Sequence, residues 1–194
     1  CQGKSAHAGR HFTEGRNAIT VAANIAVQLN SLNGRWAGTT LNVARIDGGG
    51  PLNMVPDTAV VRVNVRYPDQ CDQEELEQTI DQIVATAGRA SGIETQRFGQ
   101  FTTPPKRVCG VMKQIMSQVT DYGHTLGLDL NWQPTGGVCD GNRLAGWGLP
   151  NVDTLGVRGE GIHSRDEYLM IESLTERASL TAALLIGWAS GEIK

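Results

Sequence analysis

The sequence lacks a hydrophobic run that could cross a bilayer. Its longest apolar stretch, from Leu180 to Ala189, contains Thr181 and falls well short of the roughly 20 residues that a transmembrane helix needs. A surplus of basic residues is also missing, since the formal net charge is −3 and the sequence pI is about 5.8. We therefore expect neither a membrane nor a nucleic acid as a partner.

Cysteine is sparse, and no C-x-x-C pair occurs. Cys1, Cys71, Cys109 and Cys139 are widely spaced, which argues against a disulfide scaffold and favours free thiols in the cytoplasm. An initiator methionine and a signal peptide are absent. Because the first residues are typical of a chain that starts partway through a strand, we expect a fragment of a longer protein.

The composition that remains, 40% hydrophobic and 19% charged residues, is typical of a folded protein. Over Glu14–Asn33, apolar residues recur in steps of four and three, which predicts an amphipathic helix. Thr58–Tyr67 alternates between apolar and polar residues, which predicts a half-buried strand. A strand over Thr40–Ile46, a helix that buries Leu76, Ile80, Ile83 and Ala87, and a strand over Ile93–Thr103 complete this part of the chain.

With a truncated first strand, these elements have the order β-α-β-β-α-β, which predicts a ferredoxin-like domain and an α+β fold. Pro104–Pro105 predicts a break in the structure. We assign residues 1–106 to this domain and residues 107–194 to a second segment. The second segment predicts an α/β arrangement, because helices alternate with short strands over Leu128–Gln133 and Asn151–Val157.

The last helix of this segment is predicted to bury one apolar stripe, made of Ile171, Leu174, Ala178, Leu185 and Trp188. Two strands are too few for a parallel α/β sheet. The second segment therefore needs strands that the sequence does not contain.

Two polar residues lie in loops rich in small residues. His7, in G-K-S-A-H-A-G, is placed to donate a hydrogen bond to a developing oxyanion, or it is an ordinary surface histidine. Asn53, in G-G-G-P-L-N-M-V-P, is placed to bind a substrate carboxylate or carbonyl, or it belongs to a plain hairpin loop.

Arg66 ends the polar face of its strand, where its planar fork suits a carboxylate, although a solvated strand face explains it equally well. His163, in G-E-G-I-H-S-R-D-E, lies in a loop between a strand and a helix. Such a histidine can bind zinc or serve only as a loop residue.

Cys139 and Asp140 share a glycine-rich turn, T-G-G-V-C-D-G-N. A cysteine beside a histidine can act as a nucleophile, but the sequence pairs Cys139 with no particular base. Packing of a small thiol under the turn is the alternative.

In this order and spacing, the motifs G-K-S-A-H-A-G, G-G-G-P-L-N-M-V-P, V-N-V-R-Y-P, T-G-G-V-C-D-G-N and G-E-G-I-H-S-R-D-E-Y resemble one family. It is the metallohydrolase family of glutamate carboxypeptidase, acetylornithine deacetylase, succinyl-diaminopimelate desuccinylase and aminoacylase. The resemblance runs over nearly the whole chain. It implies that residues 1–106 are the dimerisation lid and that residues 107–194 are the closing part of the α/β zinc-hydrolase catalytic domain.

The resemblance also implies roles for single residues. His7 corresponds to the lid histidine that reaches into the partner's active site and stabilises the oxyanion, and His163 corresponds to a metal ligand. Asn53 and Arg66 correspond to residues that bind the carboxylate end of the substrate. Asp140 lies in a loop that contacts the substrate, where the family often has Ser or Thr in place of Cys139.

The family supplies an H-x-D motif, a bridging aspartate and a catalytic Glu-Glu pair from its N-terminal segment, and this chain has no counterpart of them. Its one Glu-Glu pair, Glu74-Glu75, lies in the first turn of a predicted helix, where it complements the helix dipole. Two-metal hydrolysis needs such groups. We therefore expect part of a homodimeric two-zinc amidohydrolase that cleaves a peptide or an N-acyl amino acid with a free carboxylate. We expect this chain alone to be inactive and to bind zinc weakly. A non-catalytic dimerisation module and a thiol hydrolase using Cys139 are the alternatives.

Overall fold

A computed structural model describes residues 1–68 and 71–193. The chain forms two compact units, Cys1–Pro105 and Lys106–Lys194. The elements in chain order are α1 (Ala18–Asn30), β1 (Thr40–Gly48), β2 (Ala59–Arg66), α2 (Cys71–Ser91), α3 (Gly110–Thr125), α4 (Asp140–Gly146), β3 (Gly159–Glu160), β4 (Tyr168–Leu169) and α5 (Glu172–Ser190). The mixture of helices and small sheets is the α+β fold that the sequence predicts.

The sheet of the first unit is built around the antiparallel hairpin of β1 and β2. The hairpin runs in register from Gly48 opposite Ala59 to Thr40 opposite Arg66, with an irregularity between Val43 and Arg45. On the other side of β2, Gln2 forms antiparallel bridges with both Thr58 and Glu94. The lateral order is therefore that of a ferredoxin-like sheet, with β1 at one edge.

The edge of this sheet opposite β1 is much shorter than predicted. The strand expected over Ile93–Thr103 forms a single bridge at Glu94, where backbone hydrogen bonds join it to Gln2 in both directions. The part that follows lies beyond the reach of the Gln2 segment. A strand needs a hydrogen-bonding partner along its whole length, and the described residues offer none there.

The helices of the first unit follow the predicted apolar stripes. The side chain of Asn17 caps α1 by accepting hydrogen bonds from the backbone of Ile19 and Thr20, which explains why this helix starts later than Glu14. The buried core comprises Val21, Ile25, Leu29, Leu32, Leu41, Leu76, Ala87 and Ile93. Both helices therefore cover one face of the sheet, and the alternating polar side chains of β2 lie on the other.

The second unit has a core between α3 and α5. Val119, Leu180, Leu184 and Ile193 are buried there, and Leu128, Leu130, Val152 and Leu155 pack against them. The last four come from the segments predicted as strands, but neither segment is a strand in the structure. Neither segment has a neighbouring strand in the described part of the chain, so no ladder of hydrogen bonds forms.

The predicted stripe of α5 is wrong. The helix instead buries Ser173, Leu180, Leu184 and Gly187, while Ile171 and Leu185 are 75% and 61% exposed. Apolar residues occur on several faces of α5, so periodicity does not show which face packs against α3. The face opposite the core remains apolar and open in this chain.

Within the described residues, none of the helices combines the length and the apolar character that a transmembrane span requires.

Candidate functional site

His7 and Asn53 lie on two backbone segments that pair beyond the end of the hairpin. The backbone of Val55 donates to Ala6 O at 2.8 Å, and the backbone of Ala8 donates to Asn53 O at 2.8 Å. His7 itself bridges Met54 in antiparallel fashion. This pairing extends the bridge between Gln2 and Thr58 beyond the sheet. One short ladder of backbone hydrogen bonds therefore holds both loops.

The ring of His7 is fixed by its own loop. Its Nδ1 accepts hydrogen bonds from the backbone of Gly9 at 3.1 Å and of Arg10 at 3.2 Å. A nitrogen that accepts from N–H groups carries no proton, so the proton of the neutral ring lies on Nε2. The side chain is exposed. The loop therefore presents Nε2–H outward as a hydrogen-bond donor.

A shallow pocket brings His7 and Asn53 together. It is lined by Ser5, Ala6, His7, Pro51, Asn53 and Met54. Its walls combine three apolar side chains with the imidazole, the amide and one hydroxyl. Such a pocket can hold a small neutral group next to two polar contacts.

Sequence reasoning missed Ser5 and Asp57. Ser5 Oγ donates to Asp57 Oδ2 at 2.7 Å, and this hydrogen bond, the largest cause, holds the pKa of the exposed Asp57 carboxyl below its ordinary value. The backbone of Gly3 also donates to Asp57 O at 2.7 Å. The contact spans distant parts of the chain, and no local pattern in the sequence indicates it.

Arg66 lies at the opposite end of the hairpin. It pairs with Thr40, whereas Ala59, at the other end of β2, leads back toward Asn53. Seven steps of about 3.3 Å along β2 separate the two ends by about 23 Å. The Arg66 side chain is exposed, and its Nε donates to Asn64 Oδ1 at 3.0 Å. The structure therefore joins His7 with Asn53 but does not join either with Arg66.

His163 lies in the tight loop between β3 and β4. Its backbone has a φ of 66°, a conformation that is unusual for a residue other than glycine. The backbone N–H of His163 donates to Glu167 Oε2 at 3.0 Å, which closes the loop on itself. The imidazole is exposed.

Ser173 anchors both ends of this loop, a role that no local pattern in the sequence indicates. Its buried hydroxyl accepts from the backbone of Arg158 at 2.9 Å and donates to Met170 O at 2.5 Å. One hydroxyl thus ties the incoming and outgoing arms of the His163 loop to the start of α5.

Cys139 and Asp140 lie where the glycine-rich turn enters α4. Asp140 is the exposed first residue of α4. The Cys139 thiol donates to Asp153 Oδ2, and its backbone N–H donates to Asn142 Oδ1 at 3.2 Å. Neither partner is a histidine able to activate a thiol. This geometry disfavours the thiol-hydrolase alternative.

Asp153 connects the turn to Lys106. Lys106 Nζ lies 3.1 Å from Asp153 Oδ2 and donates to Asn151 Oδ1 at 2.8 Å. Burial would raise the pKa of Asp153, but hydrogen bonds from Cys139 and Lys106 and the charge of Lys106 outweigh it, so the pKa lies below its ordinary value. The carboxylate is therefore charged at neutral pH.

The described residues contain no cluster of three or more His, Cys, Asp or Glu side chains that could hold a metal ion. His163 can supply one imidazole, but the Glu167 carboxylate beside it already accepts a backbone hydrogen bond. Zinc normally takes four ligands, of which proteins supply at least three. The described residues alone therefore cannot complete a zinc site.

Comparison with known proteins defines the class of the first unit. Residues 1–91 match the family described as peptidase dimerisation domain. This part of the chain is therefore similar to peptidase dimerisation domains, and the resemblance predicted from the motifs is confirmed.

The relatives extend the similarity over most of the chain. Carboxypeptidase G2 of a Pseudomonas species is 24% identical over 204 residues, which cover 98% of this chain and 46% of that protein. Succinyl-diaminopimelate desuccinylase of Psychrobacter arcticus is 28% identical over 159 residues, with 79% and 37% covered. The chain thus spans less than half the length of these hydrolases.

A tripeptidase from Staphylococcus aureus has a solved structure that matches this chain with a TM-score of 0.76 and 26% identity. The match covers 94% of this chain and 48% of that structure. The fold of both units therefore occurs in a peptidase.

Proposed function

We propose that this chain is the dimerisation lid, residues 1–106, and the closing catalytic segment, residues 107–194, of a homodimeric two-zinc amidohydrolase. Its substrate is a peptide or an N-acyl amino acid with a free carboxylate. The observation that carries the proposal is the ring of His7, whose Nδ1 accepts two backbone hydrogen bonds. This leaves Nε2–H as a fixed donor for a carbonyl oxygen that gains negative charge.

The distance between Arg66 and His7 limits which of these residues one lid can supply to a single active site. β2 spans about 23 Å, and small amino-acid derivatives are much shorter than this distance. One lid therefore cannot place His7, Asn53 and Arg66 on the same substrate molecule. In the proposed dimer, each site takes His7 and Asn53 from one subunit and Arg66 from the other.

The character of the first unit supports a dimer. α1 has the sequence AITVAANIAVQLN, which contains no charged residue, and Val27 on its outer side is 69% exposed. α2, in contrast, carries many charged residues. β1, next to α1, is the edge of the hairpin. A neutral helix beside an open strand edge suits association with a second copy.

The second unit contributes two residues to the proposed site. His163 provides one zinc ligand and Asp140 contacts the substrate, as the resemblance implies. The remaining ligands, and the strands that would pair with the segments around Leu128 and Val152, come from the rest of the protein. The relatives, which are about twice as long, support this view. The free thiols of Cys1, Cys109 and Cys139 support a cytoplasmic location.

Mixed dimers of the intact protein test the proposal. In the first, one subunit carries His7→Ala and the other carries His163→Ala. If His7 acts across the dimer, one of the two sites keeps both groups and about half of the activity remains; if it acts within its own subunit, both sites fail.

In the second mixed dimer, both substitutions lie in one subunit opposite a wild-type subunit. Here the expected activity is nil, because the intact metal site faces the His7→Ala lid. Activity in the second dimer together with none in the first would overturn the proposed exchange of His7 between subunits.

The alternative, a non-catalytic dimerisation module, is favoured only by the lack of a metal cluster among the described residues. It predicts that neither histidine affects any hydrolytic activity.

A further inference from the structure

We infer that Lys106, Asp153 and Asn151 form a clamp that positions the glycine-rich turn around Asp140, with the Cys139 thiol as its hydrogen-bond donor. These are positioning residues, since they act on the substrate through Asp140. The inference rests on the proposed function only for the role of Asp140. The clamp itself is argued from contacts within the second unit.

The clamp holds the backbone on both sides of Asp140. Before it, the Cys139 thiol donates to Asp153 Oδ2. After it, Asn151 Nδ2 donates to Gly141 O at 3.0 Å. The chain is thus fastened at the two residues that flank Asp140, while the Asp140 side chain stays exposed. This arrangement fixes the direction of one carboxylate without covering it.

Gly141 shows how closely the turn fits against the clamp. A Cβ at this position would lie 1.8 Å from Asp153 Oδ2 and 2.6 Å from Asn151 Oδ1. No side chain can occupy that space without moving the clamp. A side chain at position 141 would therefore displace Asp153 or Asn151 from its contacts with the turn.

Lys106 orients the two clamp residues. Its Nζ reaches Asp153 and Asn151 simultaneously, at 3.1 Å and 2.8 Å, and its side chain is only 16% exposed. The Lys106 ammonium orients the Asp153 carboxylate so that one oxygen faces Cys139. It also orients the Asn151 amide so that Nδ2 faces the Gly141 carbonyl. A partly buried ammonium with two such partners has few alternative positions.

The hydrogen bond to Asp153 explains why a cysteine is tolerated at position 139, where a hydroxyl is common in the family. A thiol and a hydroxyl can both donate to Asp153. The position needs a small donor and does not need a nucleophile.

The test uses the 194-residue chain itself and two local measurements. The first is the alkylation rate of Cys139 by iodoacetamide, read by mass spectrometry against Cys109, which is also exposed and gives an internal reference. The second is amide hydrogen exchange over residues 135–147. Asp153→Asn should accelerate both by about five-fold or more, the effect of losing one charge-assisted hydrogen bond. Asp129→Asn, an exposed aspartate in the same unit, should accelerate neither.

Two variants of Cys139 separate positioning from general stability. Cys139→Ser keeps a donor, so exchange over 135–147 should match the wild type. Cys139→Ala should accelerate exchange in this segment and leave the centre of α3 unchanged. Equal acceleration across α3 and α5, or no difference between the serine and alanine variants, would overturn the clamp.

These measurements need no catalytic activity. The measurements can support the clamp while Asp140→Ala has no effect on hydrolysis by the intact protein. In that case the clamp is supported, and the proposed contact of Asp140 with the substrate is wrong.

Discussion

His7 and Asn53 lie side by side on paired backbone segments and face one shallow pocket, although 45 residues lie between them in the sequence. The pairing places an imidazole donor and an amide at one end of the lid. The carboxylate-binding candidate Arg66 lies at the other end of β2. This division of polar groups is the basis for two predictions about catalysis.

The first prediction concerns His7→Ala in the intact protein and follows from its proposed activity. We expect kcat to fall by about 10²–10³, because an oxyanion donor acts where charge develops in the transition state. Metal content, measured by elemental analysis, should not change. His11→Ala is the matched control, since His11 is an exposed histidine whose side chain pairs with nearby Glu14. If kcat falls by only a few-fold in His7→Ala, His7 is an ordinary loop residue and not an oxyanion donor.

The second prediction concerns Arg66→Ala. A guanidinium that binds the substrate carboxylate equally in the ground and transition states should raise KM and change kcat little. Arg62→Ala is the control, because Arg62 lies on the same face of β2 but pairs with Asp47. Steady-state kinetics on a substrate and on its amide-capped analogue, which lacks the carboxylate, provide the measurement. An equal KM increase for both substrates would show that Arg66 does not recognise the carboxylate.

The local elements were predictable from the sequence, whereas the long-range contacts were not. The spacing of Ala18, Ala22, Ile25 and Leu29 predicts the buried face of α1, and the alternation in β2 predicts its two faces. Both depend only on the periodicity of one element. The segments at Leu128 and Val152 were expected to be strands, but strand formation depends on partners that no local pattern reveals.

The candidate site shows the same limit. Motifs indicated His7, Asn53, Arg66 and His163 one by one, yet only the pairing of two loops shows that His7 and Asn53 share a pocket. Ser173 is a single serine at the start of a helix, where capping is the expected role. Its contacts with both arms of the His163 loop follow from the tertiary fold.

A third prediction addresses association of the first unit. Val27→Asp places a charge on the otherwise neutral outer side of α1, and burying an unpaired charge in an interface is costly. We expect the dimer dissociation constant to rise about ten-fold or more. Thr86→Asp, on the exposed and charged side of α2, should leave it unchanged. Sedimentation velocity over a range of concentrations is the measurement, and a wild-type chain that stays monomeric at the highest concentration contradicts the proposed dimer.

A fourth prediction concerns zinc. Since the described residues offer no cluster of three ligands, the 194-residue chain should retain far less than one zinc per molecule after dialysis against a mild chelator. Elemental analysis measures the ratio, and His163→Ala should lower any residual binding further. Stoichiometric zinc that survives the chelator would mean that ligands have been overlooked.

The last prediction follows from the pKa of Asp153, which is lower in the folded chain than its ordinary value. A carboxyl group with a lowered folded-state pKa stabilises the fold above its unfolded-state pKa, and this contribution is lost as the pH falls through the folded-state value. The second unit should therefore lose stability on acidification partly through Asp153. Asp153→Asn removes the titration, so the decrease in Tm between about pH 6 and about pH 3 should be smaller than in the wild type. The variant is expected to be less stable at the upper pH, where the ion pair with Lys106 is intact, and to approach the wild type at the lower pH. Asp129→Asn again provides the control, and differential scanning calorimetry resolves the transition of each unit. Parallel wild-type and Asp153→Asn curves across this range would show that the Lys106–Asp153 pair does not contribute to folding.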